Sequence, residues 1–229
     1  AWSRYRHVFC ISNEVKQRVI KGDLCAAEKI EIAYPGIDGE LRSISDQREP
    51  FFYLPGRIMW TKDLQLAISA FKLFKQATGL DFGLKIAGMV DAKSQSYYQE
   101  LRQLAAGDES IEFVVGPTDD EMRDYYRRCY SVLFTAFNED LGITPIEAGV
   151  YGKPVIAVNR GGPREIVVDG ETGFLVEPQA EAFCAAMQQL VGDFEAAVKM
   201  GRANFDRSEL YTWDKFVEAI DDYFDQLQA

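Results

Sequence analysis

The sequence predicts an α/β fold built on a parallel β-sheet. Short runs rich in β-branched and aromatic residues alternate with segments of helical periodicity along almost the whole chain. This alternation is typical of a Rossmann-like, doubly wound sheet that helices cover on both faces. The chain has 229 residues, 47% of them hydrophobic, which is enough for one large domain of this kind. In such sheets ligands lie beyond the carboxyl ends of the strands, so a site is expected in the loops that follow them.

Eight strands and eight helices account for this pattern. The strands are predicted at residues 8–11, 30–33, 51–54, 83–87, 111–115, 131–134, 154–158 and 173–176. The helices are predicted at residues 13–21, 62–78, 94–106, 119–129, 144–151, 180–192, 194–205 and 213–227. Asp119 and Asp120 stand where the fourth helix needs an N-cap. The polar run 41–50 has no clear period and is predicted to be a surface loop. The chain therefore divides into an N-terminal segment and loop (1–50), a Rossmann-like core (51–205) and a C-terminal helix (206–229).

The charge balance limits the partners that the chain can take. Its 25 basic and 36 acidic residues give a net charge of -11, which argues against nucleic acid and anionic membrane as binding partners. An anionic ligand must then be held by a local basic pair or by backbone amides. No apolar run approaches the roughly 18 residues of a membrane span, and no signal peptide is visible. We therefore expect a cytoplasmic location.

Several enzyme classes lack their signatures. No G-x-G-x-x-G follows a predicted strand, and neither a P-loop nor a G-x-S-x-G elbow occurs. The only histidine is His7, which is interpreted as a residue at the start of a strand. A Ser–His catalytic mechanism would need this residue, so that mechanism is not expected. The four cysteines are scattered without C-x-x-C spacing, so buried reduced thiols are expected. No cluster has metal-ligand spacing, so no metal site is predicted.

A basic pair follows the third predicted strand. Arg57 comes directly after Gly56, and Lys62 stands where the next helix begins. Arginine offers a planar bidentate fork and lysine a mobile point charge, so the two could hold a diphosphate at the carboxyl end of this strand. The alternative is an ordinary solvated basic pair.

Two carboxylates flank a second strand-to-helix junction. Seven residues separate Glu139 from Glu147, and Gly142 lies between them. Thr144 and Pro145 fit the first turn of a helix whose free N–H groups would point towards whatever Glu139 faces. This combination suits a ligand with hydroxyls and phosphates, such as a nucleotide sugar. The alternatives are an exposed loop acid for Glu139, and a structural salt bridge or helix-dipole partner for Glu147.

Glycine breaks follow three further strands. Gly88 and the segment Gly116-Pro117-Thr118 each end a predicted strand, and backbone at 116–118 could approach a nucleobase. Gly161-Gly162 allows close backbone approach, with Glu165 at a helix start. Each of these is also consistent with a tight turn alone.

In their order and spacing, these residues resemble the donor-binding, C-terminal half of a GT-B glycosyltransferase of family 4. The resemblance covers nearly the whole chain. Its blocks are Phe9-Cys-Ile-Ser-Asn-Glu-Val-Lys-Gln-Arg18, Tyr34-Pro-Gly-Ile-Asp38, Gly56-Arg57 with Lys62, Glu139-x7-Glu147, Gly152-Lys-Pro-Val155 and Asp169-Gly-Glu-Thr-Gly-Phe-Leu-Val176.

The resemblance implies a retaining transfer of a hexose from a nucleotide-diphosphate sugar, without a bound metal or another cofactor. Arg57 and Lys62 would neutralise the leaving diphosphate, helped by amides at 142–144. Glu139 would hold the sugar hydroxyls and orient the anomeric carbon, so it is expected to be catalytic together with the two cations. Glu147 would hold the ribose.

The segment 116–118 would hold the nucleobase. The full set of implied substrate-binding residues is Gly56, Arg57, Lys62, Gly88, Gly116, Pro117, Thr118, Glu139, Asp140, Leu141, Gly142, Ile143, Thr144 and Glu147. The run from Glu139 to Pro145 is closest to mannosyltransferase-like members, which makes GDP-mannose or a UDP-hexose the expected donor. The acceptor would be a glycan, a lipid or a small molecule, as in polysaccharide biosynthesis.

The sequence departs from the family pattern in three ways. Leu141 stands where phenylalanine is common, and Asp63 where glycine is common. The N-terminal acceptor domain, which supplies a histidine near the donor sugar, is expected to be missing. The chain as given should therefore bind a nucleotide better than it transfers a sugar, and any membrane association would involve the missing half. A non-catalytic nucleotide-sugar-binding module and a GT-B-like epimerase or phosphorylase are the alternatives.

Overall fold

Six parallel strands form the main sheet of the computed structural model, which describes residues 4–228, with side chains as far as residue 225. The strands are β3 (Phe51–Pro55), β4 (Gly83–Gly88), β5 (Ile111–Val115), β6 (Ser131–Phe134), β7 (Val155–Val158) and β8 (Gly173–Val176). They lie in the order β5-β4-β3-β6-β7-β8, and every neighbouring pair is parallel. The α/β fold with a parallel sheet is confirmed.

The helices differ from prediction mainly at their ends. They are α1 (Asn13–Lys21), α2 (Leu64–Thr78), α3 (Gln95–Ala105), α4 (Asp119–Arg128), α5 (Ile143–Val150), α6 (Pro163–Ile166), α7 (Ala180–Gly192), α8 (Phe194–Ser208) and α9 (Trp213–Gln228). The short helix α6 has four residues and was not predicted, because one turn is too short to show a period. Helix α2 packs against α3 and α7, and α5 packs against α8.

Strand β3 lies at the centre of the core, and all five of its residues are buried. The rings of Phe52 and Phe74 meet edge to face with centroids 5.3 Å apart, whereas the neighbouring Tyr53 packs on Tyr126, centroids 5.0 Å apart. Successive strand residues point to opposite faces. Both faces of the sheet are therefore covered, as predicted.

The first two strands do not join this sheet. Strands β1 (Val8–Cys10) and β2 (Ile30–Ile32) pair in parallel with each other in a separate two-stranded sheet, with α1 between them. The following segment is tied to the chain at the start of α9: the Ile37 N–H donates to the Tyr211 carbonyl at 2.8 Å, and the Ile37 carbonyl accepts from the Trp213 N–H at 3.1 Å.

The run 41–50 is a loop without strands or α-helix, as predicted, but buried groups hold it to the core. Lys153 is fully buried, and its ammonium donates to the carbonyls of Ser45 and Gln47. Arg48 donates in turn to the Gly152 carbonyl at 2.9 Å. Burial lowers the pKa of Lys153 to about 8. The lysine of the Gly152-Lys153-Pro154 block thus anchors this loop.

The direction of winding reverses in the middle of the sheet. From β3 the chain proceeds outwards through β4 to β5, then crosses back to β6 and proceeds outwards through β7 to β8. Right-handed crossovers in opposite directions put their helices on opposite faces, which opens a crevice between the carboxyl ends of β3 and β6. This switch point is where the fold itself predicts a ligand site.

Candidate active site

A cation and a carboxylate meet at the switch point. Lys62, from the loop after β3, donates from Nζ to Glu139 Oε2 at 2.6 Å, and Glu139 lies in the loop after β6. Both side chains are about one quarter exposed, at 23% and 28%. The structure thus brings together two predicted site residues that are 77 positions apart in the chain.

The backbone around Lys62 fixes the position of its side chain. Lys62 ends a single 3-10 turn, Trp60–Lys62, and its carbonyl accepts a 2.7 Å bond from Thr135 Oγ1. The next residue, Asp63, is left-handed with φ 46°. Aspartate is among the few residues other than glycine that adopt this conformation readily, which explains why it can stand where glycine is common.

The second predicted cation, Arg57, is exposed, and its side chain has no hydrogen bond or ion pair among residues 4–225. The loop that carries it is fixed through glycines: a Cβ on Gly88 would lie 1.9 Å from the Gly56 carbonyl oxygen. This packing accounts for Gly88 without a ligand, so its role in substrate binding stays a prediction.

Helix α5 presents its N-terminus to the same crevice. Its N-cap, Gly142, has φ 85°, and a Cβ there would lie 3.1 Å from the Phe134 ring. No side chain of the described residues caps the helix, so the first amides, from Ile143 and Thr144, remain available to an anion. The helix begins at Ile143, one residue before the predicted start.

The Glu139 loop, defined here as residues 138–142, rests on the glycine pair after β7. The Gly162 N–H donates to the Glu139 carbonyl at 3.0 Å. A Cβ on Gly162 would lie 2.2 Å from the Cα of Leu141, and one on Gly161 would lie 2.5 Å from the Glu139 carbonyl oxygen. The close approach predicted for these glycines is therefore towards the Glu139 loop. Leu141 is buried, and Asp140 is exposed.

Glu147 lies in a different setting from Glu139. Its Oε2 accepts a 2.6 Å bond from the Tyr126 hydroxyl, and the Tyr126 ring stacks on that of Tyr151, with centroids 5.7 Å apart. Removal from water raises the pKa of Glu147, and the Tyr126 hydrogen bond opposes that rise in part.

A cleft of about 350 Å³ opens beside Glu147 between α4 and α5. Helix α4 contributes one face to it through residues spaced three or four apart: Asp119, Met122, Arg123 and Tyr126. Sequence reasoning did not assign these side chains to the site. Their helical spacing after the Gly116 break could have identified them.

The predicted base-binding segment is partly occupied by capping. Thr118 Oγ1 accepts from the Glu121 N–H at 3.2 Å, and the Glu121 carboxylate accepts from the Thr118 N–H at 2.8 Å. This reciprocal capping box makes Thr118 the N-cap of α4, so the prediction of Asp119 or Asp120 was wrong. Gly116 is left-handed and exposed, and Pro117 is partly buried. Contact of this segment with a base stays a prediction.

Other features of the described residues lie outside this crevice. Within residues 4–228 no group of three or more His, Cys, Asp or Glu side chains could hold a metal ion. The four cysteines are buried and free. His7 precedes β1, and its ring stacks on that of Tyr223 at 3.9 Å between centroids. No helix in the described part of the chain has the length and apolar character needed to cross a membrane.

Comparison with known proteins identifies the family. Residues 41–207 match the model of the family described as glycosyl transferases group 1. The chain belongs to this family. It is 34% identical over 165 residues to the alpha-1,3/1,6-mannosyltransferase ALG2 of Dictyostelium discoideum, over 66% of this chain and 39% of that protein. The matched segment is thus less than half of that relative.

Solved glycosyltransferases share the fold. The Anabaena protein Alr3699/HepE in complex with UDP superposes with a TM-score of 0.87 at 20% identity, over 96% of this chain and 64% of that one. The C-terminal domain of the group 1 protein LpcC of Francisella tularensis superposes with a TM-score of 0.68 at 23% identity, over 75% of this chain and 96% of that domain. The parallel α/β sheet is therefore that of the GT-B glycosyltransferases.

Proposed function

We propose that this chain is the donor-binding domain of a retaining family 4 glycosyltransferase that uses a nucleotide-diphosphate sugar. One observation carries the proposal: Lys62 and Glu139 meet at 2.6 Å at the switch point of the sheet. The N-terminus of α5, which begins in the same loop, adds free amides. A cation and helix amides suit a diphosphate, and a carboxylate suits sugar hydroxyls.

In this proposal the basic groups act on the leaving diphosphate. The Lys62 ammonium, which donates to Glu139 in the free chain, would turn part of its hydrogen bonding to the phosphate oxygens. The exposed Arg57 guanidinium would add a bidentate contact to the same phosphates. The amides of Ile143 and Thr144 would complete the charge compensation, so that a metal ion is not required. One such contact supplies on the order of 2–4 kcal/mol of transition-state stabilisation.

The carboxylates would have separate tasks. Glu139, once Lys62 faces phosphate, would accept bonds from the sugar hydroxyls and orient the anomeric carbon. Glu147 would accept the ribose hydroxyls at the cleft that Tyr126 and Met122 line. The base would then lie towards the segment 116–118, at the start of α4.

The parent protein would transfer a hexose to a glycan, a lipid or a small acceptor. The mannosyltransferase name of the Dictyostelium relative favours GDP-mannose, whereas the UDP-bound Anabaena protein favours a UDP-hexose. Because catalysis would also need an acceptor-binding half, we expect this chain to bind the donor without transferring it. Peripheral membrane association would involve that half.

Calorimetric titration of the chain with GDP, UDP, ADP and their common hexose conjugates tests the proposal. We expect one base to be preferred, and the Arg57→Ala/Lys62→Ala double variant to lose that binding while it keeps the fold. Arg57→Ala alone should weaken diphosphate binding, since this exposed side chain contributes little to the core. Normal binding by the double variant would refute the assignment of the diphosphate site.

A further inference from the structure

The Glu139 loop is held by two side chains from the N-terminal segment, more than 100 positions earlier. Ser12 Oγ donates to the Asp140 carbonyl at 2.6 Å. Arg18 Nη2 donates to Asn138 Oδ1 at 2.8 Å, and Arg18 Nη1 pairs with the Asp140 carboxylate. These bonds fix the residues on either side of Glu139.

The segment that supplies these donors is itself anchored. Ser12 is fully buried, and its hydroxyl also accepts the 3.1 Å bond from Val15 that caps α1. The backbone amides of Asn13 and Glu14 donate to the Glu165 carboxylate at 2.8 and 2.9 Å. Glu165 belongs to α6, directly after the glycines that support the Glu139 loop from the other side.

A hydrogen bond within α1 orients the Arg18 guanidinium towards the Glu139 loop. Its Nε donates to Glu14 Oε1 at 3.0 Å, which leaves the two terminal nitrogens for Asn138 and Asp140. A planar fork with several donors can bind two acceptors at once. Asn138 has φ 60°, a left-handed conformation that asparagine, like aspartate, adopts more readily than most residues other than glycine.

We propose that Arg18 is a positioning residue for the donor sugar: it holds the Glu139 loop in the geometry that presents the Glu139 carboxylate to the sugar hydroxyls. This inference rests on the proposed function, because Glu139 is the residue proposed to hold those hydroxyls. Ser12 and Arg18 precede residue 41, where the match to the family model begins, so that match assigns no role to either residue.

The Arg18–Asp140 ion pair is exposed, so Arg18 can be removed without affecting the folding of the chain. The Arg18 side chain is 38% exposed and that of Asp140 is 51% exposed. Exposed ion pairs contribute little to global stability. The Arg18→Ala variant should therefore fold like the wild-type chain, and only the Glu139 loop should become more mobile.

Two ligands that differ only by the sugar separate positioning from general damage. With UDP against UDP-glucose, and GDP against GDP-mannose, we expect Arg18→Ala to weaken nucleotide-sugar binding by about fivefold and diphosphate binding by less than about twofold. Arg128→Ala is the matched control: its guanidinium also pairs with two carboxylates, Glu49 and Asp124, at a similar exposure of 34%. The control should change neither affinity.

A double-mutant cycle ties the effect to Glu139. In the Glu139→Gln background, Arg18→Ala should cause no further loss, because the carboxylate that it positions is already gone. Equal losses for both ligands, or the same sugar-specific loss with and without the Glu139 carboxylate, would overturn the positioning role.

Hydrogen exchange of the free chain tests the restraint without a ligand. We expect faster exchange at the backbone amides of residues 138–142 in Arg18→Ala and unchanged exchange there in Arg128→Ala. If the wild-type chain binds no nucleotide, the proposed function fails, and exchange still decides whether Arg18 restrains the loop. Unchanged exchange in Arg18→Ala would overturn the inference by itself.

Discussion

Glu139 and Glu147 belong to one short motif but occupy opposite environments. Glu139 faces Lys62 at the crevice, where a cation compensates its charge. Glu147 faces the neutral Tyr126 hydroxyl on the inner side of α5, where removal from water raises the pKa of its carboxyl group. The spacing of two carboxylates along the chain therefore does not define their chemistry. The Glu139 carboxylate is paired with a cation, whereas the Glu147 carboxylate is removed from water beside a neutral partner.

Removal of the Lys62 cation should weaken nucleotide binding more than any other single change considered for this crevice. Lys62→Met leaves Glu139 without its partner and the crevice without its charge. Hydrogen bonds to charged groups contribute about 1.5–3 kcal/mol, so we expect nucleoside-diphosphate affinity to fall by about 10- to 100-fold in calorimetry. Lys62→Arg, which retains the charge, should recover part of that affinity. Wild-type affinity in Lys62→Met would mean that Lys62 serves Glu139 alone.

The second effect tests how the Glu139 loop is supported. An added Cβ at Gly162 would lie 2.2 Å from the Leu141 Cα, whereas one at Gly192 would meet nothing within 4 Å. Overpacking of this kind destabilises by about 1–3 kcal/mol, and Gly→Ala at an unstrained site stabilises by about 0.4–1 kcal/mol. Urea unfolding should therefore show a lower midpoint for Gly162→Ala and an equal or higher one for Gly192→Ala. Equal midpoints for the two variants would show that the Glu139 loop moves to accommodate the added methyl group without a loss of stability.

The strands and most helices could be predicted from the sequence because local patterning determines them. The strand of residues 131–134 contains three consecutive apolar residues, Val132-Leu133-Phe134, and it was predicted with its observed bounds. Residues of the candidate site could be named because they follow strands, and parallel strands end at one edge. Their partners could not be derived in the same way.

Contacts between distant segments depend on the order of the strands, which local patterns do not contain. The Lys62–Glu139 bond requires β3 to lie beside β6, and the Arg18 contacts require α1 to lie over the Glu139 loop. The Tyr126–Glu147 bond needs α4 and α5 to pack side by side. The N-cap of α4 is different, because Thr118 and Glu121 show the capping-box spacing in the sequence itself.

The smallest effect concerns Glu147. Glu147→Gln keeps an acceptor for the Tyr126 hydroxyl and removes a charge from a site that disfavours it. At pH 8 we expect a higher urea midpoint than in the wild type, by less than Gly162→Ala lowers it. Nucleotide affinity should fall by about tenfold, the scale of one hydrogen bond to a ribose hydroxyl. A gain in stability joined to a loss of binding is the signature of a residue kept for its ligand.

The contribution of Glu147 to the free energy of unfolding should depend on pH. The pKa of Glu147 is raised above its ordinary value of 4.5 in the folded chain, so between those two values the folded state binds more protons than the unfolded state. Stability from this group is therefore fully present below about pH 4.5 and is lost as the pH rises through the folded pKa. The difference in unfolding free energy between Glu147→Gln and the wild type should grow with pH across that window and then level off. A difference that stays constant with pH would contradict the raised pKa of Glu147 and with it the removal of this carboxylate from water.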